Sequence, residues 1–248
     1  AIDQAEFRDD VAFRTDNGTS AEGMQAMYRT ASRVLRLERR GREGARAGEP
    51  QPSVRQDGLH VRADVLVVGT ESRDLEARGD LVSRMTPSKA EGHRPTAIFE
   101  EGKDVVGAAN VLMYVGATRV ATYTGTPAVP ARLSQQGGSQ VSGDVIVVDD
   151  AKATLSARRR VVASFAAAED TYRISGDEFD YADDTRRATA RGALAMLVSA
   201  DRHVEATHIA LTLGAETKRL DALTAIERVY TTFDTDYEAT GDRLEYDA

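Results

Sequence analysis

Four histidines, the Asp-Asp pairs at 149–150 and 183–184, one acidic run and one arginine triplet are the residues of this chain whose types could do chemistry. The histidines are His60, His93, His203 and His208. His203 and His208 lie an odd five apart, which on one uninterrupted strand puts them on opposite faces. A shared metal is not expected from such a pair. Asp149-Asp150 and Asp183-Asp184 resemble the paired carboxylates of acid–base catalysts. Each pair falls at the matching point of an internal repeat, so turn chemistry accounts for both. Asp234, Asp236, Glu238, Asp242 and Glu245 have the look of a calcium loop, but Ala239 stands where such a loop needs glycine. Arg158-Arg159-Arg160 could meet a lipid phosphate or another acidic group, with solvated surface charge as the ordinary reading. Gly-x-Ser-x-Gly, phosphate-loop and His-Glu-x-x-His motifs are absent. The expectation is a chain that is not an enzyme and uses no metal or cofactor.

The elements that carry these residues come from a repeat. Val141 to Phe165 splits into two halves, each alternating apolar or small residues with polar ones, the period of a half-buried strand. Asp149, Asp150, Ala151 and Lys152 between them suit a turn. Aligning on Asp144 and the slot at Arg159, 15 positions later, finds the same spacing at Asp64/Gly79, Asn110/Gly125 and Asp177/Gly192. A looser copy runs from Ala206 and Thr207 to Phe233 with Glu227 in the slot. The anchors recur every 30 to 46 residues, the mark of tandem supersecondary units that must stack to bury their apolar faces. Phe7, Asp9, Val11 and Phe13 fit a second half-unit, and Gly241 to Tyr246 fit a first half-unit. The pattern thus opens and closes in mid-repeat.

Composition bounds the rest. The chain has 248 residues, 41% hydrophobic but only 6% aromatic with no Trp, which suits a thin two-layer body better than a wide core. A net charge of -8 with interleaved arginines speaks against nucleic acid as a partner. Cys is absent, which removes disulfides and cysteine zinc sites and fits an oxidising compartment. The longest uncharged run, Val105 to Thr118, is 14 residues, too short for a membrane helix. No basic-then-apolar leader is visible at the first residues. The Gly- and Pro-bearing stretch 38–57 and the polar stretch 86–95 read as loops, so the expectation is one continuous body over 1–248, or two modules divided at one of them. Two strands around Arg29-Thr30 fit the repeat better than a short helix at 21–32. Pro127 and Pro130 read as the end of a unit at an edge or exit, because proline cannot donate to a ladder.

Units of the form apolar-x-Ala-Asp-x-Leu-x-Val, a turn, then Leu-x-Ala-x-Gly-x-Val resemble the OstA-like family, the LptA- and LptC-like bridge proteins of lipopolysaccharide transport. VRADVLVV…LEARGDLVS and ISGDEFDYADDTRRATARGALAML carry the resemblance, and QAEFRDDVAFR is similar to the family's Phe-polar-x-Val strand. It covers most of 1–37 and 54–248. Arg159 and Glu227 depart from it by replacing glycine in the slot, so those strands are expected to bend or face differently.

The resemblance implies an all-β fold, an elongated antiparallel β-taco or β-jelly roll of two-strand repeats. It implies a non-enzymatic periplasmic protein of outer-membrane biogenesis that carries the acyl chains of lipopolysaccharide or a related lipid in an apolar trough. It implies end-to-end strand pairing with other modules of the same kind. The inward positions expected to line the trough are Leu66, Val68, Leu81, Leu112, Tyr114, Ile146, Val148, Val161, Phe179, Tyr181, Leu194, Met196, Ile209, Leu211, Val229 and Phe233. Arg187, Thr189 and Arg191 are expected on the outer face. Two other readings of the residues stand beside it. One is a structural or adhesive β-repeat scaffold with a dry core and no lipid ligand; the other is an enzyme on a β-solenoid, for which only turn carboxylates are on offer.

Overall fold

Alternating apolar and polar residues make strands, and strands with one apolar face must cover it. The computed structural model describes residues 3–39, 50–85, 98–99, 102–167, 170–214, 220–233 and 237–247. Among them every regular element is a strand: β1 (Gln4–Arg14), β2 (Ser20–Arg29), β3 (Val34–Glu38), β4 (Ser53–Gln56), β5 (Leu59–Arg62), β6 (Val65–Gly69), β7 (Leu75–Met85), β8 (Val105–Val115), β9 (Val120–Thr124), β10 (Ala131–Gln135), β11 (Gln140–Gly143), β12 (Val145–Asp149), β13 (Thr154–Ala167), β14 (Asp170–Ala182), β15 (Arg187–Val198), β16 (Arg202–Leu213), β17 (Leu220–Phe233) and β18 (Tyr237–Asp247). All pairings are antiparallel. Of the two stretches read as loops, 38–57 contains strand β4 (Ser53–Gln56) and so is not loop throughout, while its residues 40–49, and all of 86–95, lie outside the described residues.

The pairing pattern defines a sheet folded over along its length. The second half of β2 continues through β3 and β6 to the first half of β7, while its first half continues through β4 and β5 to the second half of β7. β8 passes to β13 in the same way, through β9 and β12 on one side and β10 and β11 on the other. From β13 to β18 each long strand runs unbroken from one leaf to the other and pairs along its whole length with the next. The first leaf holds β3, β6, β9 and β12; the second holds β4, β5, β10 and β11. Their inner faces meet in one buried apolar cluster from Ala21 to Val229.

The crease between the leaves is what the repeat encodes. In β13, Arg158 pairs with Glu178 and Val161 with Gly176, so Arg159 and Arg160 oppose Asp177 alone. Gly79 and Asp80 oppose Asn110, Asp9 and Asp10 oppose Met24, and Glu227 and Arg228 oppose Asp242 in the same two-against-one manner. All eight of these bulged residues have positive φ. Such a bulge bends its strand sharply, so stacking bulges folds the sheet. Arg159 (φ 60°) and Glu227 (φ 65°) adopt the left-handed conformation that Gly79 (φ 73°) adopts, so the strands without glycine bend as the others do, against expectation.

The anchor residues support the bends. Asp144 accepts a bond from Arg160 Nε at 2.6 Å, and the same guanidinium donates to the carbonyls of Pro127 and Thr126 at 2.8 and 3.1 Å. Asp177 accepts from the Ala193 N–H at 3.2 Å. Thr207 donates to the Ile226 carbonyl and to Glu227, at 3.0 and 2.9 Å. Pro127 and Pro130 follow the end of β9, as expected, but not at a sheet edge: they sit in the 125–130 connection that crosses from β9 in one leaf to β10 in the other, where no ladder needs a donor. The segment 21–32 is strand and turn.

Bulge length decides which face a side chain takes. A two-residue bulge keeps the alternation in step: Leu75 and Ala77 are buried before it in β7, Leu81 and Ser83 after it. The single opposing residue inverts it: Ile174 is buried before Asp177, Phe179 and Tyr181 after it. In β15, Gly192, Ala193 and Leu194 all oppose Thr207. Three residues also invert the faces, so Ala188 and Ala190 point inward before the bulge and Ala195 and Leu197 after it.

Candidate functional site

The candidate site is the apolar seam between the leaves. Leu66, Val68, Leu112, Tyr114, Ile146, Val148, Phe179, Tyr181, Ile209 and Leu211 are buried on the first leaf, and Leu81, Val161 and Val229 on the second. Phe233 is half-buried at the outer end of β17. Leu194 and Met196 are not part of the seam: Leu194 is 54% exposed at the crease and Met196 lies on the outer face. The three-residue bulge is the cause. Arg187 and Arg191 are exposed and Thr189 is half-buried, on the outer side of β15.

Other residues join the seam without having been expected there. Ala195 and Leu197 take the places of Leu194 and Met196. Tyr123 and Leu133, on β9 and β10, and Tyr172 and Ile174, on β14, complete the facing layers. Phe165 stacks on Tyr172 with ring centroids 6.0 Å apart. The alternation in β13 already marks Phe165, whereas nothing in the sequence gives the length of the bulge that turns Leu197 inward.

A buried polar contact bridges the seam. Ser83 Oγ of the second leaf and Tyr123 OH of the first lie 3.0 Å apart and fully buried. Gly107 makes room for them, since a Cβ there would stand 2.8 Å from the Tyr123 ring and 2.4 Å from Ser83 Oγ. Burial raises the Tyr123 phenol, and raises Tyr114 to about 12 with help from Asp57, so both stay neutral.

The side opposite the crease, where turns of the two leaves meet, is a mouth with two different halves. Toward the N-terminus it is tied by hydrogen bonds. Asn17 Nδ2 donates to the Thr70 carbonyl at 2.9 Å, and Gln56 Nε2 to the Arg73 carbonyl at 2.7 Å. Arg73 reaches back to Asp57 at 2.9 Å and to the Asn17 carbonyl at 3.1 Å. Toward the C-terminus the contact among the described residues is Arg202 over the Tyr246 ring, 4.3 Å from its centroid. At the two end strands, Val11 and Phe13 on β1 and Leu244 and Tyr246 on β18 are only partly buried against the core.

The remaining candidates resolve into surface and turn roles. Arg158 pairs with Asp180 at 2.7 Å and Arg160 with Asp144, leaving Arg159 exposed. Asp149 is a turn cap. Burial pushes its carboxyl up, but bonds from the Lys152 ammonium and backbone N–H, at 2.9 and 3.0 Å, outweigh that and hold it below the usual range. Asp183 and Asp184 lie in the matching turn. His203 and His208 both face outward, on different leaves, because the crease falls between them and inverts the alternation. His203 meets Glu205 at 2.8 Å. His93, Asp234 and Asp236 lie outside the described residues. Among the described residues no three or more His, Asp or Glu converge in a way that could hold a metal ion.

These features define an all-β protein of folded-over antiparallel sheet, a β-taco or β-jelly roll. No family model matches the chain, and no curated protein matches it. Among solved structures it is similar to LptH of Pseudomonas aeruginosa, described as the LptA-homologous periplasmic component of the conserved lipopolysaccharide transport device. The identity is 11%, the match covers 58% of this chain and 84% of that one, and the TM-score is 0.43. A likeness of that depth assigns no residue a role.

Proposed function

We propose that this chain is a non-enzymatic carrier that holds the acyl chains of a lipopolysaccharide-type lipid between its two leaves, as a module of a periplasmic bridge. The observation that carries the reading is the seam, which among the described residues is apolar from β1 to β18 and only partly buried at those two strands. A closed globular core has no need of such ends, whereas a channel for chain-like ligands does. The open backbone of β1 and β18 suits the addition of a strand from a like module. Energy for directed transfer comes from a partner in this reading, since the chain carries no phosphate-loop motif.

A second reading, a β-repeat scaffold with a dry core, is favoured by one specific observation. Seam side chains such as Leu66, Leu112, Ile146 and Ile209 have no exposed surface at all, so a lipid must part the leaves to enter. Photo-crosslinking separates the two. With p-benzoylphenylalanine at Tyr181 or Phe165, inside the seam, lipopolysaccharide is expected to be labelled. At Met196 or Arg191, on the outside, it is not. Labelling that is equal on both faces, or absent from the inner ones, leaves the scaffold reading in place.

A further inference from the structure

Arg202 is a cation in an unusual place. It begins β16 and pairs with Phe233 in the second leaf, whereas Tyr246 pairs with Leu223 in the first. The contact between them therefore spans the mouth of the seam. The arginine side chain is only 18% exposed. Its Nε faces Asp201 at 3.3 Å, and Nη2 donates to the Tyr246 hydroxyl at 3.3 Å. Its Nη1 is buried and meets no partner among the described residues. Tyr172, also buried, walls the site from within the seam.

A guanidinium has five N–H donors fixed in a fork that matches an oxyanion, and burying one with donors unpaired is costly. A long flexible arginine beside solvent would ordinarily turn its head outward. This one is held inward by the ring of an edge strand. β18 has β17 as its sole partner among the described residues, and 237–243 are all exposed. The N-terminal half of the mouth, by contrast, is crossed by four side-chain hydrogen bonds. Among the described residues the contact across the C-terminal half is the one between Arg202 and Tyr246, and parting the leaves there frees Arg202 at the lip of an apolar cleft.

We propose that Arg202 is the headgroup-binding residue of the seam: it takes the oxyanion, phosphate or carboxylate, of an amphiphile whose acyl chain lies between the leaves, with Tyr246 covering it until the ligand arrives. The inference rests on the lipid-carrier reading and adds where the ligand enters and which charge is recognised. Asp201 opposes the incoming anion and so sets how tightly it is held.

The test uses cis-parinarate, a fluorescent fatty acid, and its uncharged methyl ester on the whole chain. The wild type is expected to bind the acid about tenfold more tightly than the ester, the size of a charged hydrogen bond. Arg202→Gln brings the acid down to the level of the ester and leaves the ester unchanged. Arg202→Lys keeps part of the preference, and Asp201→Asn strengthens the acid alone. Dodecyl phosphate displaces the bound acid, while inorganic phosphate does not. Equal binding of acid and ester by the wild type, or a preference that survives Arg202→Gln, overturns the role of Arg202 while the lipid reading stands. If Arg202→Gln fails to fold, an acid affinity unmoved by Asp201→Asn overturns it instead. Displacement by inorganic phosphate alone makes this a free-oxyanion site and overturns the headgroup role. Binding of neither probe removes the carrier reading and this inference with it.

Discussion

Arg159 holds a left-handed backbone conformation that costs an L-residue about 1–2 kcal/mol, and its side chain is exposed. Glycine would hold the same bend without that cost, at the expense of a looser unfolded chain. Arg159→Gly is therefore expected to stabilise the protein by about 1 kcal/mol, seen as a higher urea midpoint with unchanged slope. Gly79→Ala works the other way. Its φ is 73°, and the new Cβ would stand 2.6 Å from Asp64 Oδ2, so a loss of about 1–2 kcal/mol is expected. No loss in the second variant would mean that the crease does not need the left-handed pair. Two histidines give a separate reading of the surface. His60 is lowered by burial first, then by Arg55, Arg62 and Arg84; His208 by burial, then by Arg191 and Arg187. A folded pKa below 6.5 means that the folded state binds fewer protons than the unfolded one. Their contribution is full above that value and is lost as pH falls through the folded pKa. Denaturant midpoints measured between neutral pH and about pH 5, above the carboxylate range, should fall, and the double His60→Gln/His208→Gln variant should flatten that slope.

At the level of strands and bulges, the sequence is legible wherever the bulge keeps to one template. The anchor-to-slot spacing marks the crease at Asp64, Asn110, Asp144 and Asp177, and Gly79 in the slot already implies a backbone that L-residues avoid. Arg159 and Glu227 hide the same conformation, because their chemistry gives no sign of it. β15 hides more. A pattern of alternate apolar residues from Ala188 to Val198 looks like one continuous face, yet three bulged residues invert it midway. Residue types set the periodicity, but only the pairing with Thr207 sets the count of unpaired residues. The consequence is a clean pair of variants. Leu197→Asp places an unpaired charge in the seam and should cost about 3–5 kcal/mol. Met196→Asp, one residue earlier and on the outer face, should cost no more than about 1 kcal/mol. Thermal melts of the two decide the register, and a larger loss at Met196 would restore the uninterrupted face.

At the largest scale, the described residues form a stack with an edge strand on each side. Within the described residues β1 pairs only with β2 and β18 only with β17, while apolar rings stand exposed on both, Phe7 at 45% and Tyr237 at 68%. An unpaired edge is a template for another strand, and charge is the usual means of blunting it. β18 carries four carboxylates against one arginine, and β1 three against two. Two β18 edges therefore repel each other more than β18 repels β1, which favours head-to-tail over tail-to-tail contact. Salt should promote that contact, because it screens two edges of the same sign. Light scattering over a range of concentrations is expected to show chains that lengthen as ionic strength rises. Proline at β1 or β18 positions whose N–H faces the open edge should shorten them by removing a donor. Proline at positions whose N–H bonds inward should instead lower stability. A strict monomer at high concentration and high salt would mean that neither edge accepts a strand, and the bridge reading would lose the mechanism that joins its modules.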